Sequence, residues 1–286
     1  MKIIDMFSQG KTVYSFEVFP PKKDDDINTI YSTLDGLQGL NPDFISVTYG
    51  ACGNIADNKT CQIAGIIKEK YNIEPLAHLT CINSEKSDII KILSQLEAVD
   101  VSNVLALRGD KIPDLNAKTD FSYASDLASF ILKNSNFTVA GACYPEGHSE
   151  SENKINDVLN LKKKVDSGVS HLISQLFFDN EYFYSFKEHC RLANINVPIQ
   201  AGIMPVVNVK QIQRLVSLCG ASLPNKFVKI MNRYGTNKEA LRDAGIAYAI
   251  DQIVDLIANG VEGIHLYTMN NPYVAIKITQ AVKNLL

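Results

Sequence analysis

Glu17 lies in the run Phe16-Glu17-Val18-Phe19, where a carboxylate is costly. An unpaired carboxyl among such neighbours holds its proton more tightly than usual, which makes Glu17 a general-acid candidate. Other polar groups close similarly apolar runs. Thr48-Tyr49-Gly50 follows one, His78 and Thr80 lie within Leu76–Cys81, and Arg108-Gly109-Asp110 follows Asn103–Leu107. Tyr144-Pro145-Glu146-Gly147-His148, Gln175, Gly202 with Met204-Pro205, and Tyr267-Thr268 continue the series. Alone, His78 reads as a core histidine satisfied by hydrogen bonds, and Arg108 with Asp110 as a rim ion pair. Gln175 donates and accepts at once, which suits a heterocycle as well as a structural hydrogen bond.

Asp157, Asn160 and Lys164 stand at i, i+3 and i+7 of a helical stretch, opposite an apolar stripe of Ile155, Val158, Leu159 and Val165. By themselves they read as a solvated face. Cys52, Cys61, Cys81, Cys143, Cys190 and Cys219 form no CxxC pair, so buried reduced thiols are expected rather than a zinc site or a disulfide framework. The sequence has no GxGxxG after a strand, no GxxxxGK[ST], no HExxH and no GxSxG. Rossmann dehydrogenases, P-loop enzymes and serine hydrolases are therefore disfavoured.

The elements that must position these groups follow from hydrophobic patterning. Eight apolar, β-branched runs are expected as strands: Val13–Phe19, Phe44–Tyr49, Pro75–Cys81, Asn103–Leu107, Phe137–Cys143, His171–Phe177, Pro198–Ile203 and Gly263–Thr268. Most are continuously apolar, as parallel strands covered by helices are. The first seven start about 30 residues apart, the length of a strand, a helix and two loops. Eight such units predict a closed (β/α)₈ TIM barrel, a fold that builds its sites at the C-terminal ends of the strands. The longer interval before the eighth run holds helical stretches at Val209–Leu218 and Lys238–Ala258, with Leu223–Met231 between. Extra helices before strand eight are expected. Ser84 is the expected N-cap of the helix after strand three, and Gly168 the expected terminator of the helix after strand five.

The 286 residues suit one barrel, with 46% apolar and 21% charged residues typical of a globular chain. A net charge of -3 provides no general attraction to nucleic acid. No apolar stretch is long enough for a membrane helix, and Asp5 and Gln9 interrupt any secretory signal, so a cytoplasmic protein is expected. The charge run Lys22–Asp26 reads as a solvated loop.

In order along the chain, SFEVFPPK, DFISVTYGA, HLTCI, VLALRGD, YASDL, YPEGH, LKKKVDSG, SQLFFD and GIHLYTMN resemble the successive motifs of methylenetetrahydrofolate reductases. The resemblance implies one FAD-binding catalytic barrel over residues 1–286. Its implied reaction reduces 5,10-methylenetetrahydrofolate to 5-methyltetrahydrofolate with NAD(P)H, ping-pong through FAD, in one-carbon and methionine metabolism.

By the same resemblance Glu17 matches the glutamate that protonates the folate's bridging nitrogen, and Asp110 an aspartate near flavin and pterin. Flavin contacts carry over to Thr48, Tyr49, His78, Arg108, Gly109, Asp110, Tyr123, Ala124, Tyr144, His148, Ser151, Asp157, Asn160, Lys163 and Lys164. Folate contacts carry over to Glu17, Thr48, Asp110, Gln175, Gln211 and Tyr267, and no metal is implied. The chain departs from the family pattern at Leu215, where a phenylalanine is common, at Asn271, where an arginine is, and at Lys163, which replaces an arginine. A homo-oligomer without nucleic-acid or membrane partners is expected, and no separate C-terminal regulatory domain. Two alternatives stay open: the same reduction with electrons from a ferredoxin or partner subunit, and a folate- or pterin-binding barrel without flavin.

Overall fold

Strand runs that are apolar on both faces must be covered inside and out, and in the computed structural model they close on themselves. β1 (Val13–Val18), β2 (Phe44–Val47), β3 (Glu74–Thr80), β4 (Asn103–Leu107), β5 (Thr138–Cys143), β6 (His171–Ser174), β7 (Ile199–Ile203) and β8 (Gly263–Tyr267) form a closed barrel in chain order. Every neighbouring pair is parallel, and β8 pairs with β1 through Val13 to Gly263 and Glu17 to Tyr267. The structure describes residues 1–21, 28–49, 59–110 and 120–286, and leaves the side chains of 28, 211, 214, 215, 217 and 218 undescribed. The run Lys22–Asp26, Gly50 and Cys52 lie outside the described residues.

Helices surround the barrel: α1 (Asn28–Leu37), α2 (Lys59–Tyr71), α3 (Lys86–Glu97), α4 (Ala124–Asn134), α5 (Lys154–Asp166), α6 (Asn180–Leu192), α7 (Val209–Cys219), α8 (Asn225–Tyr234), α9 (Lys238–Ala258) and α10 (Pro272–Val282). Three helices, α7, α8 and α9, thus stand before β8; α9 packs on β7 as the barrel's regular helix, and α7 and α8 are the extra ones. Phe178, Met204, Val206, Phe227 and Met231 bury a separate apolar cluster that joins them to the ends of β6 and β7.

Side chains alternate across each strand. Tyr14, Phe16 and Val18 of β1 join Ile45, Val47, Ala77 and Leu79 in the main core under the helices. Val13 instead meets Phe44, Leu76, Leu105, Ala140 and Ile173 inside the barrel, where Ile3 and Met6 of a 3₁₀ turn (Ile3–Ser8) close the base. Above that apolar plug the interior is polar. Ser15, Ser46, Gln200 and His265 are all buried there, each on a strand whose other face is apolar, while His171 of β6 is buried lower down, against Phe7 and Phe44.

Two expectations are corrected. α3 begins with a capping box of Glu85 and Asp88, while Ser84 donates to the Thr80 carbonyl instead. α5 buries Asp157, Val158 and Leu161, and leaves Ile155 and Leu159 71% and 51% exposed. The helix therefore turns part of its polar face inward, because Ser151 donates to Asp157 at 2.7 Å and Lys164 reaches the Ala142 carbonyl at 2.7 Å. Gly168 ends this helix region at φ +105°, as expected of a residue without a Cβ.

Candidate active site

Glu17 is the last inward-facing residue of β1 and sits at the barrel mouth, 19% exposed. It is not unpaired, as the sequence alone suggested. His78 Nε2 from β3 lies 3.6 Å from its Oε2, and His265 Nε2 from β8 lies 3.7 Å from the same oxygen. Burial pushes the carboxyl's pKa up, but hydrogen bonding by His265, the nearby His78 and His265 and the Ser46 hydroxyl outweigh it, and the net direction is down. The expectation of a tightly held proton is corrected accordingly: hydrogen bonding by His265 and Ser46, with the His78 ring beside them, overrides the apolar sequence context. Burial lowers His78 to about 4 in spite of Glu17, so at neutral pH its ring is uncharged. Its Nε2 makes no hydrogen bond within the described residues.

Across the mouth, Gln175 follows β6 and accepts from the Leu176 N–H at 2.9 Å through Oε1. The Tyr267 hydroxyl donates to the Ser174 carbonyl at 2.7 Å, which lays its ring over β7. This crossing needs Gly202: a Cβ there would come within 2.2 Å of the Ser174 oxygen and 2.8 Å of the Tyr267 ring. Gly202→Ala is expected to cost about 1–3 kcal/mol in urea unfolding, through overpacking. An unchanged unfolding midpoint would show that the β6 backbone at Ser174 and the Tyr267 ring both give way freely. Thr268 donates to the Glu17 carbonyl at 2.6 Å, and Asn270 clasps Phe19 through both its backbone groups at 3.1 and 2.8 Å. The end of β8 thus fixes the end of β1. Asn271 caps α10 by accepting from Val274 N–H at 3.4 Å, a local reason for asparagine there.

On the opposite rim Arg108 makes a bidentate pair with Glu150 at 2.7 Å on each side, not the pair with Asp110 read from the sequence. Gly109 beside it has φ +86°, and Asp110 is exposed with no described contact to Glu17. Tyr144 meets His148 edge-on at 4.7 Å, and His148 Nδ1 accepts from the Glu150 N–H at 3.1 Å. Glu146 accepts from the Ser222 N–H at 3.0 Å, tying this loop to the connection between α7 and α8. Lys163 and Asn160 are exposed and bonded to each other at 3.2 Å, and burial lowers the pKa of Lys164. Tyr123 is exposed at the N-cap of α4, followed by buried Ala124.

The structure therefore gathers Glu17, His78 and Tyr267 at the mouth, and Arg108, Tyr144, His148, Ser151, Asp157, Asn160, Lys163 and Lys164 along the β4–α5 side. Thr48 continues β2 through its N–H to Val18, whereas Tyr49 packs on the outer core near Cys61 and Asp88. The Gln211 and Leu215 side chains are outside what is described. Sequence reasoning missed His265, Ser46, Ser15, Gln200, Asn270 and Glu150. The available signal was period two: His265 and Tyr267 share one face of β8, as Ser15 and Glu17 do of β1.

Strand ends converging on a carboxyl flanked by two histidines define a (β/α)₈-barrel enzyme with an acid–base site. The methylenetetrahydrofolate reductase family profile matches residues 2–283. The chain belongs to the methylenetetrahydrofolate reductase family. It is 36% identical over 92% of its length to a 5,10-methylenetetrahydrofolate reductase of Pectobacterium carotovorum subsp. carotovorum, covering 87% of that protein. It is 35% identical to the Escherichia coli (strain K12) protein of the same name, over 92% of this chain and 88% of that one. Against methylenetetrahydrofolate reductase (NADH) 1 of Arabidopsis thaliana it is 34% identical over 94% of this chain and 49% of that one. The fold is similar to that of an uncharacterized Clostridium thermocellum protein that binds two copies of 5-methyl-5,6,7,8-tetrahydrofolic acid, with TM-score 0.67, 14% identity, and coverage of 98% of this chain and 97% of that one. Among the described residues no helix is long and apolar enough to cross a membrane.

Proposed function

We propose that this chain reduces 5,10-methylenetetrahydrofolate to 5-methyltetrahydrofolate with electrons from NAD(P)H, the two ligands using one FAD site alternately. The observation that carries the reading is Glu17 at the mouth of a barrel belonging to this family. Glu17 donates a proton to the folate's bridging nitrogen. Its lowered proton affinity suits this role only once a flat pterin covers the mouth, because excluding water strengthens the burial effect that already pushes the carboxyl up. Gln175 supplies paired amide functions for the pterin edge, and Asp110 and Tyr267 stand on either side of the strand ends.

The residues present fit FAD. The unbonded, buried His78 nitrogen offers a site for a flavin polar atom, while Arg108, Lys163 and Lys164 offer positive charge for a diphosphate. Thr48, Gly109, Tyr123, Ala124, Tyr144, His148, Ser151, Asp157 and Asn160 complete the contacts that the family motifs carry, and Tyr49 would contribute from the outer edge. FAD, when bound, supplies the hydride chemistry. Glu150 holds Arg108, so the guanidinium is oriented before any phosphate arrives, and part of its charge is already offset.

The test is the visible spectrum of the purified protein under anaerobic conditions. Flavin absorbance bleached by NADH or NADPH and restored by methylenetetrahydrofolate is expected. Colourless protein that cannot be reconstituted with FAD would overturn the reading, whereas bleaching only by a reduced ferredoxin would reassign the electron source.

A further inference from the structure

Inside the barrel, directly below Glu17, a row of buried polar groups leads away from the carboxyl. Gln200 Nε2 of β7 donates to Ser15 Oγ of β1 at 3.0 Å, Ser15 Oγ lies 2.7 Å from His265 Nδ1 of β8, and His265 Nε2 lies 3.3 Å from Ser46 Oγ of β2. Gln200, Ser15 and Ser46 are 0% exposed and His265 1%. Ser46 is opposite Glu17 in the β1–β2 register.

The row has a direction. Gln200 turns its Nε2 toward the Val13 carbonyl at 3.5 Å, which only an N–H can satisfy, so the amide donates to Ser15. With that lone pair occupied, the Ser15 proton goes to the shorter of its two acceptors, His265 Nδ1 at 2.7 Å, rather than the Ile264 carbonyl at 3.4 Å. His265 Nδ1 then carries no proton and Nε2 does. That N–H faces Ser46 and, at 3.7 Å, the Glu17 carboxyl.

We propose that His265 is a positioning residue for Glu17: locked in one tautomer by the Gln200–Ser15 chain, it presents an N–H that favours the carboxylate and so sets when Glu17 holds its proton. The inference rests on the proposed role of Glu17 but concerns its titration, which is measurable without substrate. The titratable groups around the pair are His78 of β3, His171 of β6 and Tyr267 of β8 among the described residues. None of them makes the directed chain that His265 makes.

The experiment follows the Glu17 carboxyl by infrared difference against Glu17→Gln across pH in the flavin-loaded protein, with the high-pH limb of the folate half-reaction alongside. His265→Leu removes the N–H and is expected to raise the Glu17 titration by about one pH unit, the scale of one hydrogen bond to a charged group. The limb should move up with it by the same step. His265→Gln, whose amide N–H replaces Nε2–H, should restore the wild-type titration. Equal slowing of both half-reactions with an unmoved titration would overturn the proposal. If His265→Leu fails to fold, Ser15→Ala must raise the titration in the same direction by a smaller step, and an unmoved titration there overturns it equally. A wild-type protein that shows the infrared response but reduces no folate would instead sink the proposed function.

Discussion

Glu17→Gln should leave reduction of the flavin by NAD(P)H within a few-fold of wild type while slowing folate reduction by about 10²–10⁴-fold, the usual worth of a positioned general acid. The amide is isosteric, so His78, at 3.6 Å, and His265, at 3.7 Å, keep their neighbour. Only the transferable proton is lost. Stopped-flow measurement of the two half-reactions separately decides the matter, and equal loss in both would refute the assigned role. The pH dependence carries a sign. Because Glu17 reacts as the acid, the folate half-reaction should fall as pH rises through the carboxyl's titration in the covered site.

The second large effect is acid lability. Burial lowers His78 to about 4 and His171 to about 3, so both rings stay uncharged in the folded chain well below the pH at which the unfolded chain protonates them. A histidine depressed in this way contributes stability above its unfolded value near 6.5, and that contribution is lost as pH falls toward the folded value. Between pH 6 and about 4 the unfolded state binds up to two more protons than the native state from these groups. Stability should therefore drop at about 2.7 kcal/mol per pH unit. Glu17, also depressed, adds to the loss at the acid end of this window.

His171→Leu should halve the slope, because this ring lies against Phe7 at 5.3 Å and Phe44 at 6.4 Å in apolar surroundings that accept a leucine. Urea unfolding between pH 7.5 and 4.5 reads both slopes. A flat wild-type profile, or a variant slope equal to the wild-type one, would show that these rings titrate freely in the folded protein.

Continuously apolar strand runs, 30-residue spacing and helix lengths made the barrel legible from residue types alone. β4 at Asn103–Leu107 and α9 at Lys238–Ala258 stand where patterning put them. So do all eight strands and the excursion before the last, since burying an apolar run on two faces leaves a chain few alternatives. Strand-end polarity likewise pointed to Glu17, His78, Arg108 and Tyr267, because parallel strands deliver their C-terminal ends to one rim.

Pairing inside the rim was not legible. Ser15 and His265 are 250 residues apart and meet only because β8 closes on β1. That closure turned Glu17 from an isolated carboxyl into one held by two histidines and a serine, and so reversed the direction of its proton affinity. Arg108 chose Glu150 over Asp110 for a similar reason: the loop after β5 folds back over the rim left by β4. Local sequence determines which face a side chain takes. The charge it meets there is decided by strands brought together in the closed barrel, where Coulomb and hydrogen-bond energies depend on distances of a few ångströms that no single segment encodes.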